Sequence, residues 1–291
     1  MTMIEKLQIF ILPTVLVASL IEAWVLARKK PSSFDWNETR LSLIDLAGRR
    51  LLALLPLSLA GPLFAFAWSN RVHTVEFNSV LAFLLLLLGQ EFCYYWYHRA
   101  SHRIRFLWAS HSVHHSPNTL TLSTAYRLGW TSKLTGAALF FTPLVWLGVR
   151  PEVVLATLSL NLLYQFWIHT TWIPRLGWLE RVLNTPSSHR VHHSSNLDYL
   201  DVNYGGVLIL FDRVFGTYVA ERDDLPCNYG LVHPLRTTNP FKIEFHQWVG
   251  LWRDLRRARN LSEALAYIVK PPGWQPDHAT ETTEVLTPSP N

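Results

Sequence analysis

The stretch Leu84-Leu85-Leu86-Leu87-Leu88-Gly89-Gln90-Glu91-Phe92-Cys93-Tyr94-Tyr95-Trp96-Tyr97-His98-Arg99-Ala100-Ser101-His102 runs from a solid apolar block into two histidines four positions apart. Its first part belongs to an apolar run from about Phe77 to Tyr97, long enough for a membrane span, which needs about 20 such residues. Residues i and i+4 share one face of a helix, so His98 and His102 project together just past the end of that span. His111-Ser112-Val113-His114-His115 and His189-Arg190-Val191-His192-His193 repeat the arrangement, with i, i+3 and i+4 converging. His169 lies between them. Nine of the thirteen histidines therefore fall between residues 98 and 193. Imidazole is the commonest metal-binding side chain. One zinc takes only three or four protein ligands, so nine histidines are too many for one ion and suit two. The expectation is a two-metal centre surrounded by helices. His73, His246 and His278 read as structural or solvated. His233, in Gly230-Leu231-Val232-His233-Pro234, stands between a ligand and a structural residue.

Composition agrees with a membrane setting. The 291 residues are 49% hydrophobic and only 16% charged, with 13 Trp, 10 Tyr and 15 Phe. The net charge of +5 could suggest nucleic acid. The basic residues cluster beside apolar runs, however, so anionic lipid is the better partner and no nucleic acid is expected. Cys93 and Cys227 are too few and too far apart for a disulfide framework or a Cys-x-x-Cys site. Any coordination falls to the histidines.

Further apolar runs lie at Leu7 to Ala27, Leu51 to Trp68, Leu134 to Val149 and Val153 to Ile168. In the first, the positive charge follows the apolar run (Arg28-Lys29-Lys30), so it reads as a retained span rather than a cleaved signal. The last two, separated by Arg150-Pro151-Glu152, read either as a hairpin of spans or as a segment entering the bilayer partway. Arg28, Lys29, Lys30, Arg49 and Arg50 lie in one loop, and Arg99, Arg103, Arg105 and Arg127 follow the third span. The positive-inside rule makes both regions cytoplasmic and puts all three histidine clusters on that face. The expected fold is all-α: a polytopic bundle of four to five spans with a histidine-rich di-metal helical domain on the cytoplasmic side, in a bacterial inner membrane. Residues 1–76 would hold the N-terminal spans, 77–240 the catalytic domain, 241–270 amphipathic helices and 271–291 a disordered tail. The amphipathic helix is read over Phe241 to Arg259, where Phe245, Trp248, Trp252 and Leu255 alternate with arginines. It suits a membrane interface, packing on the catalytic domain, or a redox partner.

An all-nitrogen donor set suits iron, zinc, copper or nickel. A pair of irons can bind dioxygen and form an oxidant for an unactivated C–H bond, whereas zinc has no redox chemistry. The leading expectation is an oxygenase acting on a lipid chain, with desaturation as a variant on the same centre. The alternative is a zinc-dependent membrane hydrolase, although no cluster carries the His-Glu-x-x-His glutamate. A metal transporter would need ligands along a path through the membrane rather than on one side of it. Metal-bound imidazoles usually donate their outer N–H to a carboxylate or carbonyl. Asp198, Asp201, Asn203 and Asp212 follow the third cluster and are candidates for that role. Glu91, seven residues before His98, lies on about the same helix face, and a carboxylate inside a span is costly and usually functional. Asn203-Tyr204-Gly205-Gly206 reads as a tight turn. Glu91, Asp201, Asn203 and Asp212 are therefore the candidate catalytic-support residues.

At its clusters the chain resembles the fatty acid hydroxylase and sterol desaturase superfamily, whose mark is H-x3/4-H, H-x-x-H-H and H/Q-x-x-H-H. The resemblance covers roughly residues 80 to 246. It is carried by Tyr95-Trp96-Tyr97-His98-Arg99-Ala100-Ser101-His102, by Asn161-Leu162-Leu163-Tyr164-Gln165-Phe166-Trp167-Ile168-His169 and by Asn184-Thr185-Pro186-Ser187-Ser188-His189-Arg190-Val191-His192-His193. Asn203-Tyr204-Gly205-Gly206 and Phe211-Asp212-Arg213-Val214-Phe215-Gly216-Thr217 extend it. Locally it is most similar to the branch containing alkylglycerol monooxygenase. The resemblance implies a membrane di-iron oxygenase using dioxygen, a lipid, and electrons from a separate reductase or electron-transfer protein. It implies His98, His102, His111, His114, His115, His169, His189, His192 and His193 as ligands to two iron ions. In the fatty acid 2-hydroxylase branch His169 would have a partner four residues on. Here that position is Ile173, and His233 is the candidate replacement.

Overall fold

The computed structural model describes residues 3–29, 34–55, 58–276 and 281–283. Its helices are α1 (Met3–Lys29), α2 (Trp36–Leu52), α3 (Ala60–Ser69), α4 (Val80–Arg103), α5 (Arg105–His115), α6 (Ala138–Trp146), α7 (Pro151–Ile168), α8 (Pro186–His192), α9 (Leu210–Val214), α10 (Pro240–Leu255) and α11 (Leu261–Val269). Among the described residues there is no strand, only isolated bridges. The all-α expectation holds.

The expected bundle has four to five spans. Among the described residues two helices are long and apolar enough to cross a membrane: α1 over Phe10–Lys29, and α4. Only 17% and 33% of their apolar windows are buried inside the protein. Phe10, Val17, Ile21 and Trp24 of α1, and Val80, Leu81, Phe83 and Leu85 of α4, are exposed. Soluble monomers rarely leave such continuous apolar surface bare, so these helices belong in lipid and the chain is that of a membrane protein. The Leu51–Trp68 run is not one helix. α2 ends at Leu52 and α3 begins at Ala60. The Leu134–Val149 run yields only the nine residues of α6. At 1.5 Å per residue, α3 and α6 each reach about 15 Å, roughly half the hydrocarbon thickness. They pack on each other, and α6 packs on α4, in a cluster that includes Phe64, Ala67, Leu86, Phe141, Leu144 and Val145. At nine residues α6 is too short to cross the hydrocarbon core by itself. Gly148, at φ 105°, ends that segment, and a Cβ there would strike the His73 carbonyl.

α4 starts where the Ser79 hydroxyl accepts from Ala82 N–H, an N-cap that satisfies one otherwise orphaned donor. It ends at Ile104, whose extended backbone breaks the helix and redirects the chain into α5. α5 therefore turns its histidines back toward His98 and His102. α8 is short, with Thr185 as N-cap and Pro186 in the first turn, where proline's missing N–H costs nothing. α10 packs against α5 through a small core of Leu41, Val113 and Ile243. The amphipathic segment read over Phe241 to Arg259 is thus α10 and the turn after it.

Part of the expected tail, residues 271–276 and 281–283, lies among the described residues. Residues 277–280 and 284–291, including His278, lie outside the described residues. Trp274 packs edge-on to Tyr267, with ring centroids 5.4 Å apart. Glu281 N–H donates to the Gly273 carbonyl at 2.9 Å, and the Thr283 hydroxyl donates to Asp201 at 2.6 Å. Aromatic burial and these bonds hold part of the tail against the body.

Candidate metal centre

The nine clustered histidines converge into two groups. His98, His102, His111, His115 and His192 form one; His114, His169, His189 and His193 form the other. Within each, the candidate donor atoms all lie within 4.8 Å of one another. The grouping cuts across the sequence clusters. The second cluster sends His111 and His115 to one group and His114 to the other. The third sends His192 to one, and His189 and His193 to the other.

Outer hydrogen bonds set the orientation of five rings. His98 Nδ1–H donates to the Tyr204 carbonyl at 2.8 Å, and His114 Nδ1–H to the Arg127 carbonyl at 3.0 Å. His169 Nδ1–H donates to Gln165 at 2.6 Å and His192 Nδ1–H to Val202 at 2.8 Å. His102 Nδ1 faces the Asp201 carboxylate at 3.3 Å. Each such bond puts the ring's one proton outside and leaves the Nε2 lone pair pointing inward.

The inward atoms test whether the site suits a metal. His114 Nε2 and His169 Nε2 sit 3.3 Å apart, yet both rings have spent their proton on a carbonyl. Two lone pairs facing each other repel unless a cation lies between them. His189 Nε2 is 2.9 Å from His169 Nε2, and His98 Nε2 is 3.1 Å from His111 Nε2. Nitrogens about 2 Å from a common ion have separations of this size. The Nε2 atoms of His102, His115, His192 and His193 are buried with no hydrogen-bond partner. Buried polar atoms are normally satisfied, and a metal ion is what would satisfy these. The donor set fits two metal ions, one per group.

Electrostatics point the same way. Burial, then mutual repulsion among neighbouring imidazoles, holds His111, His115, His189, His192 and His193 well below the usual histidine range. His114 is pushed down to about 4, chiefly by burial. Neutral imidazole is the form that binds metal. A testable consequence follows for metal-stripped protein. The unfolded imidazole takes its proton near 6.5, so between that value and about 4 the unfolded chain binds more protons than the folded one. The stabilisation is complete above 6.5 and lost as pH falls through 4, by about 3 kcal/mol from His114 alone. Thermal unfolding of the stripped protein should weaken steadily across that window; a melting point flat from 6.5 to 4 would contradict the assignment.

The other candidates act at one remove. Asp201 faces His102 and also pairs with Arg103 at 3.1 Å. Asp212 accepts from Tyr204 N–H at 2.8 Å, Gly205 N–H at 2.7 Å and the Thr217 hydroxyl at 2.7 Å. It thereby fixes the turn whose Tyr204 carbonyl holds His98. Asp212→Asn replaces one acceptor oxygen by a donor facing an N–H. Loosening of His98 should cost about 10–100-fold in metal affinity, read by competition with a chelator. Unchanged affinity would show that the turn holds without it. Asn203, at φ 56°, ties the carbonyls of Ser188 and Val219, steadying the residue before His189. Asp198 is exposed and paired with Arg222, away from the histidines.

Glu91 touches no imidazole. It accepts from Asn161 on α7 and from the N–H groups of Val207 and Leu208, both at 2.8 Å. It joins α4 to α7 and to the turn at Gly205-Gly206, where a Cβ on Gly206 would collide with the Asn161 amide. His233, the candidate tenth ligand, lies in neither group and is exposed, 3.0 Å from Glu281. A charged partner at the surface holds it outside the buried centre. Sequence reasoning passed over Asn161 and Gln165 as acting residues. Gln165 donates to Asn161, accepts from Tyr94 and gives its carbonyl to His169. Their i, i+4 spacing, continued by His169, was the available signal. Arg127, whose carbonyl orients His114, had no local signal.

A cavity of about 440 Å³ reaches the five-histidine group at His102, His115 and His192. Trp108, Leu200, Leu231 and Val232 give it apolar walls, and Arg105 and Asp201 add polar ones. None of the four-histidine group lines it.

The family model described as fatty acid hydroxylase matches residues 83–217. The chain is 38% identical to alkylglycerol monooxygenase of Homo sapiens over 264 residues, covering 90% of this chain and 58% of that protein. It is 41% identical to alkylglycerol monooxygenase of Danio rerio over 229 residues, 78% of this chain and 50% of that one. It is 29% identical to an ornithine lipid hydroxylase of Rhizobium tropici over 154 residues, 53% of this chain and 46% of that one. The chain thus spans about half the length of these relatives. No solved structure matches. All nine histidines of the two groups fall within residues 83–217, the segment that matches the fatty acid hydroxylase family.

Proposed function

We infer that this protein is a membrane-bound di-iron oxygenase that hydroxylates the alkyl or acyl chain of a lipid, with dioxygen and electrons from a separate reductase or electron-transfer protein. The observation that carries this reading is the pair of inward-facing imidazole groups, five and four, held by outer hydrogen bonds. The family match and the relatives named as a monooxygenase and a lipid hydroxylase support the reaction class. Two bound irons would supply dioxygen activation. One oxygen atom enters a C–H bond and the other leaves as water, which requires two electrons and two protons from the external donor. The histidines hold the metals, the Tyr204, Arg127, Gln165 and Val202 carbonyls fix their rings, and Asp201 orients His102. The cavity at His102, His115 and His192 receives the substrate chain against Trp108, Leu200 and Leu231. Arg28, Lys29, Arg49 and Arg50 favour a cytoplasmic face for the centre. Neither the family match nor these relatives favour the zinc hydrolase.

The test is lipid mass spectrometry on membranes expressing the wild type or His192→Ala under labelled dioxygen, with a reductase supplied. One labelled oxygen in a lipid, present only in the wild type, is the expected result. Loss of two hydrogens without label would reassign the centre to desaturation. A labelled aldehyde with loss of an ether lipid would make ether cleavage the outcome of the hydroxylation. Identical lipid profiles would count against oxygenation, and oxygen-independent lipid cleavage would establish the hydrolase.

A further inference from the structure

α10 carries an apolar stripe that no other element covers among the described residues. Phe241, Phe245, Val249 and Trp252 recur at i, i+4, i+8 and i+11, within one narrow arc of the helix, and all are exposed. Phe241 and Trp252 are 63% and 62% accessible. The opposite side is spent inward: Ile243, Glu244 and Leu251 are buried, and α10 packs on α5. Lys242 and Arg253 flank the stripe, and Arg256 and Arg257 follow its end; all four are exposed. The nearby acids are already engaged, Asp254 with Arg105 and Glu263 with Arg259. α11 continues the theme with exposed Leu261, Leu265 and Val269.

The stripe is continuous with surface already assigned to lipid. Trp130 packs edge-on to Phe241 and Phe245, with ring centroids 5.4 and 6.1 Å away. Trp130 also lies against Gly48 of α2, where a Cβ would collide with its ring. From Trp130 the chain passes exposed Leu134 into the apolar α6. From Gly48 it passes exposed Leu51, Leu54 and Leu55 toward the apolar α3. The aromatic cluster of α10 thus joins both points at which the chain turns into the short α3–α6 pair.

We propose that α10 is an interfacial helix, lying with Phe241, Phe245, Val249 and Trp252 in the headgroup region of an anionic bilayer. An apolar face bordered by arginine and lysine fits that setting, since the stems lie along apolar surface while the cations meet phosphate. The inner side of the same helix contributes His246 and Gln247 to the cavity at the five-histidine group. One helix therefore faces lipid and lines the cavity, which brings the cavity wall to headgroup depth. This inference concerns the helix and the bilayer and does not rest on the oxygenase reading.

Spin labels on the full chain in lipid nanodiscs test it. Nitroxides are attached to Phe241→Cys, Val249→Cys or Trp252→Cys, each in a Cys227→Ser background, with Asp223→Cys as the aqueous reference. The expected result is that the three stripe labels relax more with oxygen than with a water-soluble nickel chelate, while position 223 shows the reverse. Adding phosphatidylglycerol to phosphatidylcholine discs should deepen the stripe labels, and Arg253→Gln/Arg256→Gln/Arg257→Gln should remove that lipid dependence. Nickel-dominated relaxation along the stripe would overturn the proposal. Dipolar broadening between labelled copies would also overturn it, assigning the stripe to a second chain. The labelled positions and the three arginines are exposed, and Cys227→Ser is a near-isosteric change at a half-buried position, so a properly inserted variant is expected in each case.

Discussion

Replacing His189 with alanine is expected to remove one metal ion per chain and to abolish turnover, whereas His111→Ala retains more of both. The difference comes from the size of the groups. His189 belongs to the group of four, so its loss leaves three imidazoles; His111 belongs to the group of five, so its loss leaves four. His189 is fully buried, with its Nε2 2.9 Å from that of His169. His111 is the one ligand candidate of the nine that is not fully buried. Altering an outer hydrogen-bond partner typically costs 10–100-fold in metal affinity, so removing the ligand itself should cost at least about 100-fold. Metal analysis of purified protein reads this directly, and it is independent of whether the assay contains the right lipid or reductase. A His189→Ala protein with an undiminished metal content would sink the two-group assignment.

The second large effect is on stability and lies in α2, well away from the histidines in sequence. Arg127 is among the most deeply buried large side chains. Its guanidinium donates to Glu38 at 2.7 Å and to the Ser116 hydroxyl at 2.8 Å, while its own carbonyl orients His114. Glu38 also accepts from the backbone and side chain of Asn118. Glu38→Ala leaves a buried charge without its counterion, which costs about 3–5 kcal/mol because the guanidinium was desolvated on the strength of that pair. Thermal unfolding in detergent should show it as a large fall in midpoint. Glu38→Ala/Arg127→Met should recover much of the loss, since no charge is then stranded. A Glu38→Ala protein within about 1 kcal/mol of wild type would mean that water reaches Arg127.

Much of the site was legible in sequence because helix geometry is local. Spacings of three and four residues put imidazoles on one face whatever the tertiary fold, so three clusters could be read as converging sets. The apolar run before His98 likewise required a helix in lipid, and α4 is that helix. Runs of the same composition at Leu51–Trp68 and Leu134–Val149 misled, because hydropathy counts apolar residues and ignores where a helix stops. The breaks between α2 and α3, and at Gly136 and Gly148 around α6, cut them short.

The sequence by itself determined an all-helical membrane protein with nine histidines able to bind metal, since composition and i, i+4 spacing are properties of the chain alone. Only the tertiary structure decided how those nine divide. His114 and His115 are neighbours in sequence, yet about 100° apart around α5, so they face different groups. The tertiary structure also chose which carbonyls hold the rings. Tyr204, Val202 and Arg127 reach their histidines across 106, 10 and 13 residues. Any residue has a carbonyl, so nothing in a side-chain sequence marks the ones that will do so. His233 shows the converse: a suitable side chain, placed on a loop beside a surface carboxylate, joins neither group.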